Sequence, residues 1–250
     1  LGQEGKDAPY VPTPQVLVNT MLEMAAVAPT DVLVDLGSGD GRVVISAARI
    51  GARAIGVELD AGLVELSRMN AAEAGVGDLT EFIAADLFAF DLSPATVITM
   101  FLLPDLTLRL RPTLFALRPG TRIVSNTWDM RGTDDDPEAP GWDPDQTIVL
   151  DPCPGFCTAH LWTVPAKVGG IWRTGDEGGE LHLEQRFQKV TGWLRAGGQT
   201  IQIEEAHLHG STLTFHAART DYRAEVDDST MRGVARRDND TRTWQSQRVQ

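Results

Sequence analysis

At 250 residues, 42% of them apolar, the chain has the composition of a globular protein and room for one large domain or two modest ones. A net charge of −13 argues against nucleic-acid phosphates, which need a basic face, and no apolar run is long enough to span a bilayer. The acidic surplus suits a basic partner or simple solubility. Residues 1–7 are polar and read as a mobile end. In Pro9-Tyr10-Val11-Pro12-Thr13-Pro14, a hydroxyl precedes a proline, which predicts a helix start with Thr13 as the cap. Leu17, Met21, Leu22, Met24 and Ala25 then repeat at helical spacing.

The most informative stretch is Asp31-Val-Leu-Val-Asp35-Leu-Gly37-Ser38-Gly39-Asp40-Gly41-Arg42. Its apolar run predicts a buried parallel strand. The glycines predict a tight turn that lets a ligand approach bare backbone. Residues 43–50 predict a helix whose free N–H groups face that ligand. A second strand over 53–57 leads to Glu58, about twenty residues past the glycines, where an acid reaches ribose hydroxyls. The Gly-x-Gly-x-Gly spacing differs from the Gly-x-Gly-x-x-Gly that cradles a pyrophosphate. Carboxylates at Asp35 and Asp40 would repel a pyrophosphate but suit a ligand carrying an ammonium and a sulfonium, S-adenosylmethionine (SAM).

This segment resembles motif I and the following acidic motif of class I SAM-dependent methyltransferases, which implies a doubly wound, Rossmann-like α/β sheet. A helix over 61–74 ends at Gly75, and a third strand over 81–86 follows. The resemblance places Asp86 against the adenine amino group and Leu59 and Leu87 on either side of the ring. It makes Asp35, Gly37, Ser38, Gly39, Asp40, Glu58, Leu59, Asp86 and Leu87 the cofactor-binding set. Asp35, Glu58 and Asp86 fall at the ends of three successive predicted strands, the edge where parallel α/β sheets bind ligands.

The fourth strand, 95–101, runs into Leu-Leu-Pro104 rather than the Asn- or Asp-Pro-Pro-aromatic of enzymes that methylate nucleobase amines. That absence counts against DNA and RNA bases. Tyr10-Val-Pro-Thr13, Val-Ile-Thr99-Met-Phe101, a helix over 105–117 and Gly-Thr-Arg-Ile-Val-Ser-Asn126-Thr-Trp128 together resemble the seven-strand, non-SET protein lysine methyltransferases. The resemblance covers residues 10–128. It implies that the loop at Tyr10 to Thr13 closes over SAM and shapes a lysine channel. Tyr10, Phe101 and Trp128 are candidates for aromatic walls, and Thr99 or Asn126 for a hydrogen-bond acceptor to the amine. With Thr13, the catalytic set is Tyr10, Thr13, Thr99, Asn126 and Trp128. No residue stands out as an obligatory base, because the amine need only be neutral, desolvated and in line.

Asp134, Asp135, Asp136, Glu138 and Asp143 make residues 131–144 an acidic loop, a substrate lid or a solvated run. Residues 147–150 and 160–164 can supply closing antiparallel strands. Cys153 and Cys157, in Asp-Pro-Cys-Pro-Gly-Phe-Cys, lie close enough in a turn to bridge or to stay free thiols. Past Lys167, alternation in Glu180-Leu-His-Leu-Glu184 and 199–205, with turn signals at 176–179, 196–198, 210–211, 227–228 and 238–240, predicts an antiparallel meander of roughly eight strands. A sandwich or a small barrel satisfies it. Gly170-Ile-Trp172 resembles the opening of lipocalin-like barrels. His207 and His209 share a strand face but lack a carboxylate partner, so no metal is expected.

The expected organisation is a SAM-binding domain over 1–166 and an antiparallel β domain over 167–250. Its expected activity is methyl transfer to an amine, a protein lysine first. A small-molecule methyltransferase, or a SAM-binding protein whose β domain does the work, is the alternative. The partner is a protein or small-molecule acceptor of basic character, with no nucleic acid. Leu1 in place of an initiator methionine suggests a removed leader or tag. Some bacterial relatives carry an appended β-region behind an export signal, whereas SAM supply favours the cytoplasm. Localisation and oligomeric state stay open.

Overall fold

A computed structural model describes residues 11–131, 141–153, 155–175 and 179–249. The chain divides into two compact units, one of residues 1–117 and 121–162, the other of 118–120 and 163–250. Tyr10 and the acidic run at 134–138 lie outside the described residues.

The first unit is built on a seven-stranded sheet. Its elements are α1 (Gln15–Met24), β1 (Val32–Leu36), α2 (Arg42–Ile50), β2 (Arg53–Glu58), α3 (Ala61–Glu73), β3 (Thr80–Ala84), β4 (Val97–Met100), α4 (Pro104–Phe115), β5 (Arg122–Asn126), β6 (Gln146–Val149) and β7 (Thr158–Thr163). The strand order is β3-β2-β1-β4-β5-β7-β6. Strands β1 to β5 pair in parallel, and β6 runs antiparallel to β7. This is the doubly wound sheet expected of a class I methyltransferase, with the order reversing between β1 and β4. A ligand crevice opens at that reversal, outside the carboxyl ends of the strands.

Apolar faces hold the layers together. Leu17, Val18, Met21 and Leu22 of α1 join Val44 and Ala47 of α2 over Leu33, Ala54, Val97 and Val124 from the strands. At the opposite end of β1 from the glycines, Asp31 accepts from Thr96 Oγ1 at 2.7 Å and from Ala28 N at 2.8 Å, and pairs with Arg122.

One local expectation fails. Pro14, not Thr13, occupies the cap position of α1, and no side chain caps that helix. Thr13 is buried, and its hydroxyl instead accepts from Asn126 Nδ2 at 3.3 Å. A tertiary partner has replaced the local one.

The second unit is a closed antiparallel barrel, the barrel alternative of the predicted meander. It comprises β8 (Gly170–Thr174), β9 (Glu180–Arg186), β10 (Lys189–Ala196), β11 (Gln199–Gln202), β12 (Glu204–His209), β13 (Thr212–Ala217), β14 (Thr220–Val226), β15 (Thr230–Arg237) and β16 (Asp240–Arg248). Hydrogen bonding runs β10-β12-β13-β14-β15-β16-β8-β9 and returns to β10. That makes eight staves, with β11 also pairing with β10 just before β12. Residues alternate inward and outward, most cleanly along β14. The interior is filled, with Trp172 fully buried and Phe215, Tyr222 and Trp244 packed ring against ring. Trp172 donates from Nε1 to Val168 O at 2.7 Å, and the Arg248 guanidinium lies 4.3 Å over its ring. His207 and His209 are exposed on β12.

Candidate functional site

The site assembles where β1, β2 and β4 end. Asp35 sits in β1 opposite Thr99 of β4, whose hydroxyl donates to its carboxylate at 2.7 Å. Both side chains are buried. Burial raises the Asp35 pKa from its ordinary value to about 7; the Thr99 hydrogen bond opposes the rise, and the charges of Glu58 and Asp40 add to it.

The glycine turn follows. Gly41 has φ +80° and begins α2, and a Cβ there would lie 2.8 Å from the Phe82 ring, so neither the angle nor the space admits a side chain. Glu58 ends β2 and fastens the turn from the other side. Its two oxygens accept from Gly39 N and Asp60 N, both at 3.0 Å. Each oxygen keeps lone-pair capacity for a further donor such as a hydroxyl.

Asp40 is tied differently from Asp35. Arg42 forks onto it, Nε to Oδ1 at 2.9 Å and Nη2 to Oδ2 at 2.6 Å, and donates from Nη1 to Thr13 O at 2.8 Å. Spacing alone makes Asp35 and Asp40 an anionic pair. In the structure a guanidinium meets the Asp40 charge, whereas among the described residues no cation pairs with Asp35, Glu58 or Asp86.

These groups surround a cavity of about 450 Å³. Its walls include Asp35, Gly37, Ser38, Gly39, Asp40, Glu58, Leu59, Asp86 and Leu87, so the whole predicted cofactor set faces one space. Asp86 lies two residues beyond β3 and accepts from Phe88 N at 2.9 Å, which turns the chain so that Leu87 and Phe88 also line the cavity. The residues fit SAM. The buried Asp35 carboxylate suits an ammonium, Glu58 suits a ribose diol, and Leu59 with Leu87 suits an adenine face. The Ser38 backbone is part of this wall, while its hydroxyl is buried against Gly56 and has no hydrogen-bond partner among the described residues. The volume is ordinary for a cofactor site.

The predicted catalytic set is more dispersed. Of that set Thr13 lines the cavity, as does Phe101, the candidate for an aromatic wall. Thr99 stands behind Asp35, and its hydroxyl is committed to that carboxylate. Asn126 is fully buried, with Oδ1 accepting from Thr127 Oγ1 at 2.9 Å and Nδ2 turned to Thr13. Trp128 is half-buried and is not among the lining residues.

Sequence reasoning misses three residues. Arg42 reads only as the residue that closes the glycine motif, although a long cation beside Asp40 is a usable signal. Phe88 lines the cavity and carries the Arg109 guanidinium 3.7 Å over its ring. Phe156 packs 5.6 Å from Phe101, ring centroid to ring centroid, and is 48% exposed. It lies between Cys153 and Cys157, which form a disulfide. The cysteine spacing leaves a bridge and two free thiols equally open, and it says nothing of the ring between them.

Comparison with known proteins points to methyltransferases. The family model for the ANTKMT methyltransferase domain matches residues 35–137. A protein-lysine N-methyltransferase of Saccharolobus islandicus is 36% identical over 159 residues, covering 62% of this chain and 93% of its own length. The adenine nucleotide translocase lysine N-methyltransferase of Mus musculus is 34% identical over 164 residues, 65% of this chain and 65% of that protein. Among solved structures, an RNA methyltransferase from Salinibacter ruber in complex with S-adenosyl-L-homocysteine is 50% identical, with a TM-score of 0.57, covering 63% of this chain and 96% of that one.

Proposed function

The chain belongs to the SAM-dependent protein-lysine N-methyltransferase family, and from that premise we propose that it methylates the side-chain amine of a protein lysine. SAM supplies a methyl group held on a sulfonium, which a neutral amine takes directly. The chain's own residues bind, orient and exclude water. On this reading Asp35 pairs with the cofactor's ammonium, Glu58 with its ribose hydroxyls and Asp86 with its adenine amine, while Leu59 and Leu87 hold the ring. Thr99 keeps Asp35 in place. Phe101, with Phe156 beside it, forms the apolar side along which an acceptor's methylene stem lies, and aromatic faces there can hold its cationic form before deprotonation. Tyr10 and Trp128 complete the channel in the same proposal, with Thr13 in the cavity wall and Asn126 behind it. Residues 1–166 make the catalytic domain and 167–250 an appended one.

The observation that carries a protein acceptor is the likeness to the archaeal lysine methyltransferase over 93% of that protein's length. Charge supports it. Residues 1–162 hold 23 acidic and 10 basic side chains, while residues 163–250 hold 12 of each. Arg118 belongs to the barrel unit, so the unit with the cavity carries a net −14 and the barrel unit +1, which favours a basic peptide over a polyanion. The name of the half-identical Salinibacter ruber protein favours RNA as a second reading. Incubating lysate with methyl-labelled SAM and the protein, then separating protein, RNA and small molecules, decides among them. Label recovered as methyl-lysine in protein is expected. Label in RNA nucleotides, or only in the small-molecule fraction, overturns the lysine reading.

A further inference from the structure

His160 lies on β7, outside the cavity, and none of the roles above uses it. It is buried, 6% exposed, and both ring nitrogens are engaged. Nε2 is 3.2 Å from Thr127 O, and Nδ1 is 2.9 Å from Thr147 Oγ1 on β6. A carbonyl oxygen only accepts, so Nε2 carries a proton. Nδ1 is then free to accept from the Thr147 hydroxyl, and the neutral Nε2–H tautomer satisfies both contacts. Burial holds the imidazole below its ordinary pKa and so keeps it neutral. The charged groups that act on it are Asp129 and Arg131, of opposite sign, and the Trp162 ring lies 5.9 Å away.

What His160 holds is unusual. Thr127 has φ +64°, a left-handed conformation that a β-branched residue rarely adopts. Such a residue persists only where its surroundings over-determine it. Here Thr127 N donates to Thr158 O at 2.7 Å, its carbonyl is held by His160, and its hydroxyl donates to Asn126 Oδ1. That last bond fixes which way the Asn126 amide faces. Nδ2 therefore points to Thr13, whose hydroxyl accepts it and whose carbonyl accepts from Arg42. Arg42 in turn forks onto Asp40 in the cavity wall.

We propose that His160 is a positioning residue for the cofactor cavity: through Thr127 and Asn126 it fixes Thr13, and with it the Arg42–Asp40 side of the wall. The inference rests on the cavity being where SAM binds. Without the His160 donor, Thr127 relaxes to an ordinary backbone conformation, the Asn126 amide loses its orientation, and the segment ahead of α1 loses its anchor to β5.

The test uses the intact chain and S-adenosylhomocysteine (SAH) as probe. Nitrogen NMR of the wild-type imidazoles is expected to show His160 neutral with its proton on Nε2 at pH 6 to 8. His160→Ala is expected to weaken SAH binding roughly two- to thirtyfold at a temperature where it is folded, the range for coupling through a network remote from the ligand. His160→Gln, which can place an N–H near the same carbonyl, is expected to recover most of that loss. A proton on Nδ1, unchanged SAH affinity in folded His160→Ala, or no recovery with Gln each overturns the proposal. If His160→Ala does not fold, the wild-type tautomer and the Gln variant still decide. Wild-type protein that fails to bind SAH, or binds it equally after Glu58→Ala, would remove the cavity's assignment and the inference with it. A failure confined to the His160 measurements removes the inference alone.

Discussion

In the barrel, every buried polar side chain among the described residues is a threonine or serine, and the space between staves is taken by Trp172, Trp244, Phe215, Tyr222 and aliphatic neighbours. In the unit with the sheet, the buried polar groups include Asp35, Asn126 and His160, together with a Ser38 hydroxyl that has no partner among the described residues. A filled core is the cheaper solution, since an ionised carboxylate out of water costs several kcal/mol unless something of opposite charge meets it. The first unit therefore carries a cost that a cationic ligand relieves. The barrel carries none, and whatever it recognises must meet its outside or its rims.

That difference predicts how each unit fails. Trp172→Ala removes a fully buried indole, its hydrogen bond to Val168 and the ring under Arg248. It should destabilise the barrel by about 3–5 kcal/mol. Thermal unfolding with calorimetry in SAH should show the lost stability but unchanged SAH affinity per folded molecule. A parallel loss of affinity would break the comparison.

The next effect belongs to Asp35. Its folded pKa, about 7, lies above the ordinary 3.8. The native state therefore favours the protonated form by an amount on the order of 4 kcal/mol. The sign follows: this group's contribution to stability is fully present below pH 4 and is lost as pH rises to 7. Asp35→Asn should accordingly gain stability over wild type between pH 4 and 7. Ligand binding should run the other way, because an ammonium prefers the ionised acid. SAH affinity of the wild type should fall up to about tenfold for each pH unit below 7, and the Asn variant should bind weakly with no such slope. An identical slope in both proteins would assign the titration to another group.

Much of this is legible in the sequence because the relevant residues are consecutive. Asp35 to Arg42 and Glu58 lie within one βαβ unit, where strand, turn and helix fix their placement locally. The barrel is legible as a meander because Gly197, Gly198 and Gly210 mark its turns, all with positive φ. Phe187, Ala218 and Arg219 also take positive φ, and residue types that avoid that conformation conceal those turns. Thr13 looks like a helix cap because Thr-Pro is a local signal, and no local signal reports Asn126, more than a hundred residues away. The His160–Thr127 contact is invisible for the same reason: it depends on β5 and β7 being neighbours.

Glu58→Ala should weaken SAM and SAH by about 1–3 kcal/mol, the cost of stranding buried polar partners. The same substitution releases Gly39 N and Asp60 N, so some stability should go with it. Glu58→Gln sharpens the test, since an amide oxygen can keep one of those two donors but loses the charge. Calorimetry should place it between wild type and Ala, and unchanged affinity in both variants would rule out the ribose contact.

The smallest stability effect separates the cofactor side from the acceptor side of the same cavity. Phe156 is half-exposed, so Phe156→Ala should cost only about 1 kcal/mol of folding stability. Phe156 is not in the cavity wall itself and touches it through Phe101, so SAH affinity should stay within about twofold of wild type. If the Phe101–Phe156 pair guides an amine's methylene stem, the loss should appear as a raised KM for the methylated protein, with kcat nearly kept. Removing binding energy shared by ground and transition states has that signature. A fall in kcat at unchanged KM would instead mean that the ring aligns the reacting amine. If neither parameter moves, Phe156 packs beside the cavity without guiding the acceptor, and Phe101 alone forms that side of the channel.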